Sequence, residues 1–295
     1  MQLSFFCGTV QVRVFFLLPA VLYNDFFTIA QKKRVGYTVT ERRRGICLDV
    51  FGMKGAFEMN LLEAAAIRVS RRSFIGPIGE EDFSYLQELA VQYSGLAEVE
   101  IRLSHGLAPC FKGFHASYGM FSGVEDGFLL GGAHHTADHM EKLGYYGELL
   151  VLEATARGVG TCWVGGTYRQ DMLPSTSPEL VDIVIAAGQV KQRGLKEKAI
   201  YSMVHRGRKS LSQMYRCDET PPDWFLRGVE CAALAPSAVN RQPVTFHWMD
   251  GRAFASVPDM GDFRPVDMGI AKAHFALAAG GDWQWGNGGN FIPSV

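Results

Sequence analysis

From Leu143 to Ala156 nearly every position is apolar or small, and only Glu148, Glu153 and Thr155 interrupt. The pattern predicts a central helix buried on most of its circumference. Gly147, Val151, Ala154 and Gly158 recur at i, i+4, i+7 and i+11, a narrow seam against which a second helix can pack. Gly158 also stands where a left-handed residue ends a helix. The next stretch, Thr161-Cys162-Trp163-Val164, is short, β-branched and aromatic and predicts a strand. Its end, Gly165-Gly166, leaves backbone N–H groups with no side chain over them, so a flat ligand can lie there.

The remaining pattern supplies elements around this centre. Leu61, Leu62, Ala65 and Ile67 predict a short helix, and Gly79 to Gln92 an amphipathic one with an acidic first turn. Ala97 to Leu103 alternates as a strand with Glu98, Glu100 and Arg102 facing out, and Leu180 to Gly188 reads as a buried strand. The Pro-rich break Asp218 to Trp224 opens a second unit. It carries a helix through Ala233, a strand from Val244 to Met249, a hairpin at Asp250-Gly251 and a core helix from Asp267. Residues 1–58 stand apart. Their periodicity is weak, and the apolar run from Val14 to Tyr23 is broken by Pro19 and far shorter than a membrane span. No basic residue precedes Arg13, as a signal peptide requires. They are expected to be a poorly ordered extension, outside the natural protein if translation starts at Met53 or Met59.

Net charge is -1 at pH 7, with 47% hydrophobic and 20% charged residues. That balance argues against a general nucleic-acid or anionic-membrane binder, which needs a sizeable positive field. Six cysteines without C-x-x-C spacing read as reduced thiols of a cytoplasmic protein. His134, His135 and His139 lack the Glu of H-E-x-x-H and a third ligand, so no metal is assigned. Arg68, Arg71, Arg72, Ser70 and Ser73 crowd into six residues. They suit a phosphate, although such clusters are more often solvated. Arg206 and Arg208, two apart, form a second candidate phosphate contact. The loop from Ala235 to Pro243 is rich in donors and turn formers, and loops of that kind often carry function.

Four features in order carry a resemblance: Arg71-Arg72-Ser73, the Gly-x-Gly-Thr-Cys-Trp-x-Gly-Gly run ending at Gly166, Arg206-x-Arg208, and Ala-Pro-Ser-x-x-Asn-x-Gln-Pro from Ala235 to Pro243. Together they resemble the FMN-dependent nitroreductase superfamily, and more narrowly its single-chain, internally duplicated type. The resemblance spans roughly Asn60 to Trp283. It implies an α+β fold with an antiparallel-rich central sheet flanked by helices, an internal pseudo-dimer in one chain. A first nitroreductase-like half would cover 59–217, and a truncated second half, 218–295, would share the flavin site. The resemblance matches Arg71, Arg72, Ser73, Arg206 and Arg208 to phosphate and ribityl contacts, and Gly165 and Gly166 to the backbone beside flavin N5. Pro236, Ser237, Asn240 and Gln242 match the loop along the isoalloxazine. Where family members often carry a basic residue, this chain has Ile75.

The implied activity is electron transfer from NADH or NADPH through FMN to a nitroaromatic, a quinone or a similar small-molecule acceptor. Kinetics would be ping-pong, with one FMN per chain and no catalytic acid or base from the protein. No nucleic acid or membrane partner is implied, and a monomer suffices because the dimer is internal. A flavin-binding sensor or carrier without efficient turnover is the second reading. A structural α+β domain with solvated arginines is the third.

Overall fold

A computed structural model describes residues 59–113, 121–191, 202, 208–261 and 263–294, together with strand backbones in residues 1–57. It divides into two units, Met1–Phe57 and Glu58–Val295. In the first, β1 (Gln2–Cys7) pairs antiparallel with β2 (Val10–Phe15), and β3 (Gly36–Arg42) with β4 (Gly45–Phe51). The second unit holds every other element.

That unit opens with α1 (Leu61–Ile67), started by a capping box in which Asn60 Oδ1 accepts the Glu63 N–H while Glu63 Oε2 accepts the Asn60 N–H. Helix α2 (Glu80–Ala97) begins with Glu80, Glu81 and Asp82 against its positive end. It runs one turn beyond the expected stop, until Glu98 turns left-handed at φ 56°. The following strand, β5, is therefore Glu100–His105, with Ile101 and Leu103 buried between exposed Glu100 and Arg102.

β5, β6 (Asp126–Gly131), β7 (Gly160–Val164) and β8 (Val181–Gly188) form one antiparallel sheet in the order β5-β6-β8-β7. Phe128, Leu130, Ile183 and Ile185 meet the core shared with α2 and the central helix, whereas Leu129, Val184 and Ala186 join a second core with Phe74 and Leu107. Both faces are covered, which is why β8 reads as a continuous apolar run rather than an alternating one.

The central helix, α3 (Ala137–Ala156), is capped by the Thr136 hydroxyl, which accepts the His139 N–H. At its other end Gly158 adopts φ 77°, and the Val159 and Gly158 N–H groups return to the Ala154 and Thr155 carbonyls, a Schellman ending. Helix α5 (Arg264–Ala279), starting three residues earlier than the sequence pattern suggested, crosses α3 and is buried from Pro265 to Ala276. The close approach is made at Gly144 and Gly269, not at the expected seam. A Cβ on Gly144 would run into the Val266 backbone, and one on Gly269 into the Glu141 carbonyl and Tyr145 N. Gly147 instead makes room for the Trp163 indole and Leu130 on the sheet side.

Two buried polar clusters lock this crossing. Lys272 Nζ donates to Glu141 Oε1 (2.5 Å) and to the Gln284 and Gly286 carbonyls (both 3.1 Å). Glu148, on α3, accepts the Trp163 indole N–H (2.7 Å), lies 2.9 Å from His274 Nε2 on α5, and has Arg68 Nε at 3.7 Å. Arg68 is thereby turned inward and does not belong with the arginines that follow it.

The last layer joins α5 to α4 (Asp223–Ala232), with Gly228 beneath the Phe275 ring. A three-stranded sheet packs there: β9 (Tyr215–Cys217) parallel to β10 (Thr245–Met249), and β10 antiparallel to β11 (Arg252–Ser256). β12 (Gly281–Trp283) and β13 (Phe291–Pro293) close the fold. No described helix is long and apolar enough to cross a membrane. The four described cysteines, Cys110, Cys162, Cys217 and Cys231, are free thiols.

Candidate functional site

The segment carrying Arg71, Arg72 and Ser73 is extended and stitched to the sheet by backbone hydrogen bonds. Arg71 N–H donates to the Thr161 carbonyl (2.7 Å), Ser122 N–H to the Arg72 carbonyl (2.9 Å), and Phe74 N–H to the Ser122 carbonyl (2.9 Å). All three residues are half-buried. Arg71 Nη2 also donates to the Lys191 carbonyl (2.6 Å), which fixes the guanidinium beside the start of β7. Gly160, the first residue of β7, lies against Val190 and the Arg71 stem, where a Cβ would have no room.

At the other end of β7, four residues beyond Thr161 and so about 13 Å along the strand, Gly165 and Gly166 are exposed. Open space lies over Gly166. A Cβ on Gly165 would stand 2.7 Å from Phe263 Cζ, so the Phe263 ring covers this corner edgewise from the start of α5. One turn into that helix, Asp267 Oδ1 accepts the Ala238 N–H (2.8 Å). Gly165, Phe263, Asp267 and the 235–243 loop thus form one continuous run of contacts between the two parts of the chain. Sequence reasoning placed Asp267 only as the opening of a core helix. An acidic residue in a helix first turn, 31 residues after a Pro-Ser loop, was the available signal.

The loop itself is held in an unusual shape. Val239, Asn240 and Gln242 take φ values of 48°, 55° and 46°, a left-handed region that β-branched Val adopts only under constraint. Ser237 supplies that constraint, because its carbonyl accepts the Asn240 N–H and its hydroxyl accepts the Gln242 N–H, both at 2.9 Å. Gln242 is buried; its Oε1 accepts the Lys209 N–H (2.9 Å), and its Nε2 has no partner among the described residues. The adjoining cavity of about 10 Å³, lined by Ser237, Gln242 and Asp267, has room for about one water. Val239 projects to solvent at 78% exposure. Burial raises the Asp267 carboxyl to about 6, against the pull of the Ala238 N–H, Arg241 and Arg264.

Of the two later arginines, Arg208 is exposed and its guanidinium donates to the Ala233 carbonyl, close to the loop. Arg206 lies outside the described residues. Two of the three histidines have partners of their own: His135 Nδ1 pairs with Asp182 Oδ1 (2.8 Å), and buried His139 Nε2 meets the Gly131 carbonyl (3.2 Å). Among the described residues no group of three or more His, Cys, Asp or Glu has the placement of a metal site.

Residues 60–279 match the family model described as Putative TM nitroreductase. The chain belongs to that family. In three dimensions it is similar to a putative nitroreductase from Thermotoga maritima, with a TM-score of 0.54 and 22% identity, covering 85% of this chain and 97% of that one. That likeness is one of fold, and the mixed helix and antiparallel-sheet architecture expected from the sequence is the family's. A putative nitroreductase from Desulfovibrio desulfuricans in complex with FMN aligns over 48% of this chain and 96% of its own, at 20% identity and a TM-score of 0.34. A nitroreductase family protein from Clostridium difficile aligns over 55% and 100%, at 18% identity and 0.36. No curated protein matches the chain.

Proposed function

We propose that the protein is an FMN-dependent oxidoreductase that takes electrons from NADH or NADPH and delivers them to a nitroaromatic, quinone or similar flat acceptor. Family membership supports a flavin oxidoreductase in general. The observation that carries the finer reading is the run from Gly165 through Phe263 and Asp267 to Ala238. It links the glycine corner to the Ala-Pro-Ser loop through the start of α5, which supports one chain furnishing both sides of one slot. On this reading residues 59–217 and 218–295 act as two nitroreductase-like halves, the second truncated, and the chain holds one FMN.

The residues present fit that group. Arg71 and Arg72 are half-buried cations beside Ser73, and guanidinium groups suit a phosphate dianion. The exposed Gly165-Gly166 backbone offers N–H groups with no Cβ in the way. The strained Val239 to Gln242 turn is the kind of backbone that persists at ligand clamps. Bound FMN would supply the redox chemistry, accepting a hydride and passing on electrons. Donor and acceptor would take turns over the Gly166 side of the corner, which gives ping-pong kinetics. Arg71, Arg72, Ser73 and Arg208 would anchor the phosphate and ribityl end, with Arg206, and Pro236, Ser237, Asn240 and Gln242 would line the ring.

The test is the visible spectrum of the purified protein, with FMN released by denaturation and counted against chain. One flavin per chain is expected, with Arg71→Ala weakening its retention. Colourless protein that takes up no added FMN, or two flavins per chain, would overturn the reading. Ile75, exposed where relatives often carry a basic residue, favours a carrier without turnover as the alternative. Bleaching of the bound flavin by NADH or NADPH in stopped flow separates the two.

A further inference from the structure

A cavity of about 340 Å³, whose lining includes neither Gly165 nor Gly166, lies between Ile75-Gly76-Pro77 and the β5–β6 edge. Its volume is within the range of small-molecule sites. One wall is built around His105, the last residue of β5, whose ladder partner on β6 is Asp126. Asp126 is only 1% exposed. Its Oδ1 lies 2.8 Å from His105 Nδ1, and its Oδ2 accepts the Ile78 N–H at 2.7 Å. The Phe83 ring stacks on the imidazole, centroids 3.9 Å apart and planes within 10°. An imidazole 65% exposed is thus held on one face and one edge. In the neutral imidazole, an Nδ1–H directed at Asp126 leaves the Nε2 lone pair to accept. Nε2 has no partner among the described residues.

The rest of the lining limits what can enter. Glu125 contributes a second acceptor, and among the described residues no Lys or Arg lines the cavity, so the described lining favours a neutral ligand over an anion. Ile75, 54% exposed, and Pro77 present apolar surface to the cavity. The cavity is kept open by backbone: Gly123, at φ 68°, lies so close to the Phe74 carbonyl that a Cβ would strike it.

The geometry points to a binding site for a neutral phenol or arylamine, whose O–H or N–H donates to His105 Nε2 while its ring lies on Ile75 and Pro77. Its lining begins at Phe74, next to Ser73, but shares no residue with the proposed flavin slot, and the assignment does not rest on that slot. The probe is 4-methylphenol, titrated into the full-length protein while the His105 ring nitrogens are followed by ¹H–¹⁵N NMR, with toluene and benzoate as controls. We expect the Nε2 resonance to move with 4-methylphenol and not with benzoate, and toluene to bind more weakly. His105→Phe, which retains a ring for Phe83 to stack on, should weaken 4-methylphenol about two- to tenfold, the range of one neutral hydrogen bond. An unmoved Nε2 resonance, benzoate binding as well as the phenol, or unchanged affinity in a folded His105→Phe protein would overturn the assignment. Because the resonance is read in the unmutated chain, a variant that fails to fold leaves the test intact.

Discussion

Replacing Asp267 with asparagine isolates the electrostatic cost of holding the 235–243 loop. The carboxylate is buried and accepts the Ala238 N–H, and desolvation raises its pKa from an ordinary 3.8 to about 6. The folded protein therefore keeps this proton to higher pH than the unfolded chain does. Between about pH 4 and 6 the native state binds more protons, so raising pH through that window lowers stability. Above it the accumulated loss is about 3 kcal/mol, from roughly 1.4 kcal/mol per pH unit over the shift. The substituted side chain retains a carbonyl oxygen for the Ala238 N–H and cannot ionise. Asp267→Asn should thus be more stable than the parent above pH 7, by up to about 3 kcal/mol, with the advantage shrinking steadily toward pH 4.5. Urea unfolding of both proteins at half-unit steps from pH 4.5 to 7.5 reads this directly. Other carboxyls raised by desolvation, buried Glu141 and half-buried Glu153 and Asp182, contribute to both proteins and cancel in the difference. A difference that stays constant across the range would refute the reasoning.

Two further outcomes follow from the α3–α5 crossing. Gly269→Ala places a methyl on the Glu141 carbonyl, backbone against backbone, and should cost about 3 kcal/mol or more; a melting temperature within a degree of the parent would refute the close approach. Glu148→Ala strands buried His274, the Trp163 indole and Arg68 and should cost about 3–5 kcal/mol, read as a lower urea midpoint with an unchanged slope.

The apolar pattern by itself determined the two central helices, the buried strand from Val181 to Gly188 and the Schellman glycine at 158, because each follows from the period of burial or from one local backbone requirement. The family motifs were legible for the same reason: Arg71-Arg72-Ser73, Gly165-Gly166 and Ser237 to Gln242 are short and contiguous. Only the tertiary structure decided what those pieces face. The two glycines of α3 look alike in the sequence, yet Gly144 receives α5 and Gly147 receives Trp163, because a seam's partner depends on which element arrives at that face. Arg68 and Arg71 stand three residues apart, and because side chains an odd number of positions apart on extended chain face opposite ways, one reaches Glu148 in the core and the other the edge of β7. Asp267, Phe263 and the His105–Asp126 pair carried no motif, since their roles arise from neighbours 21 to 98 residues away that meet only when helices and strands close upon one another.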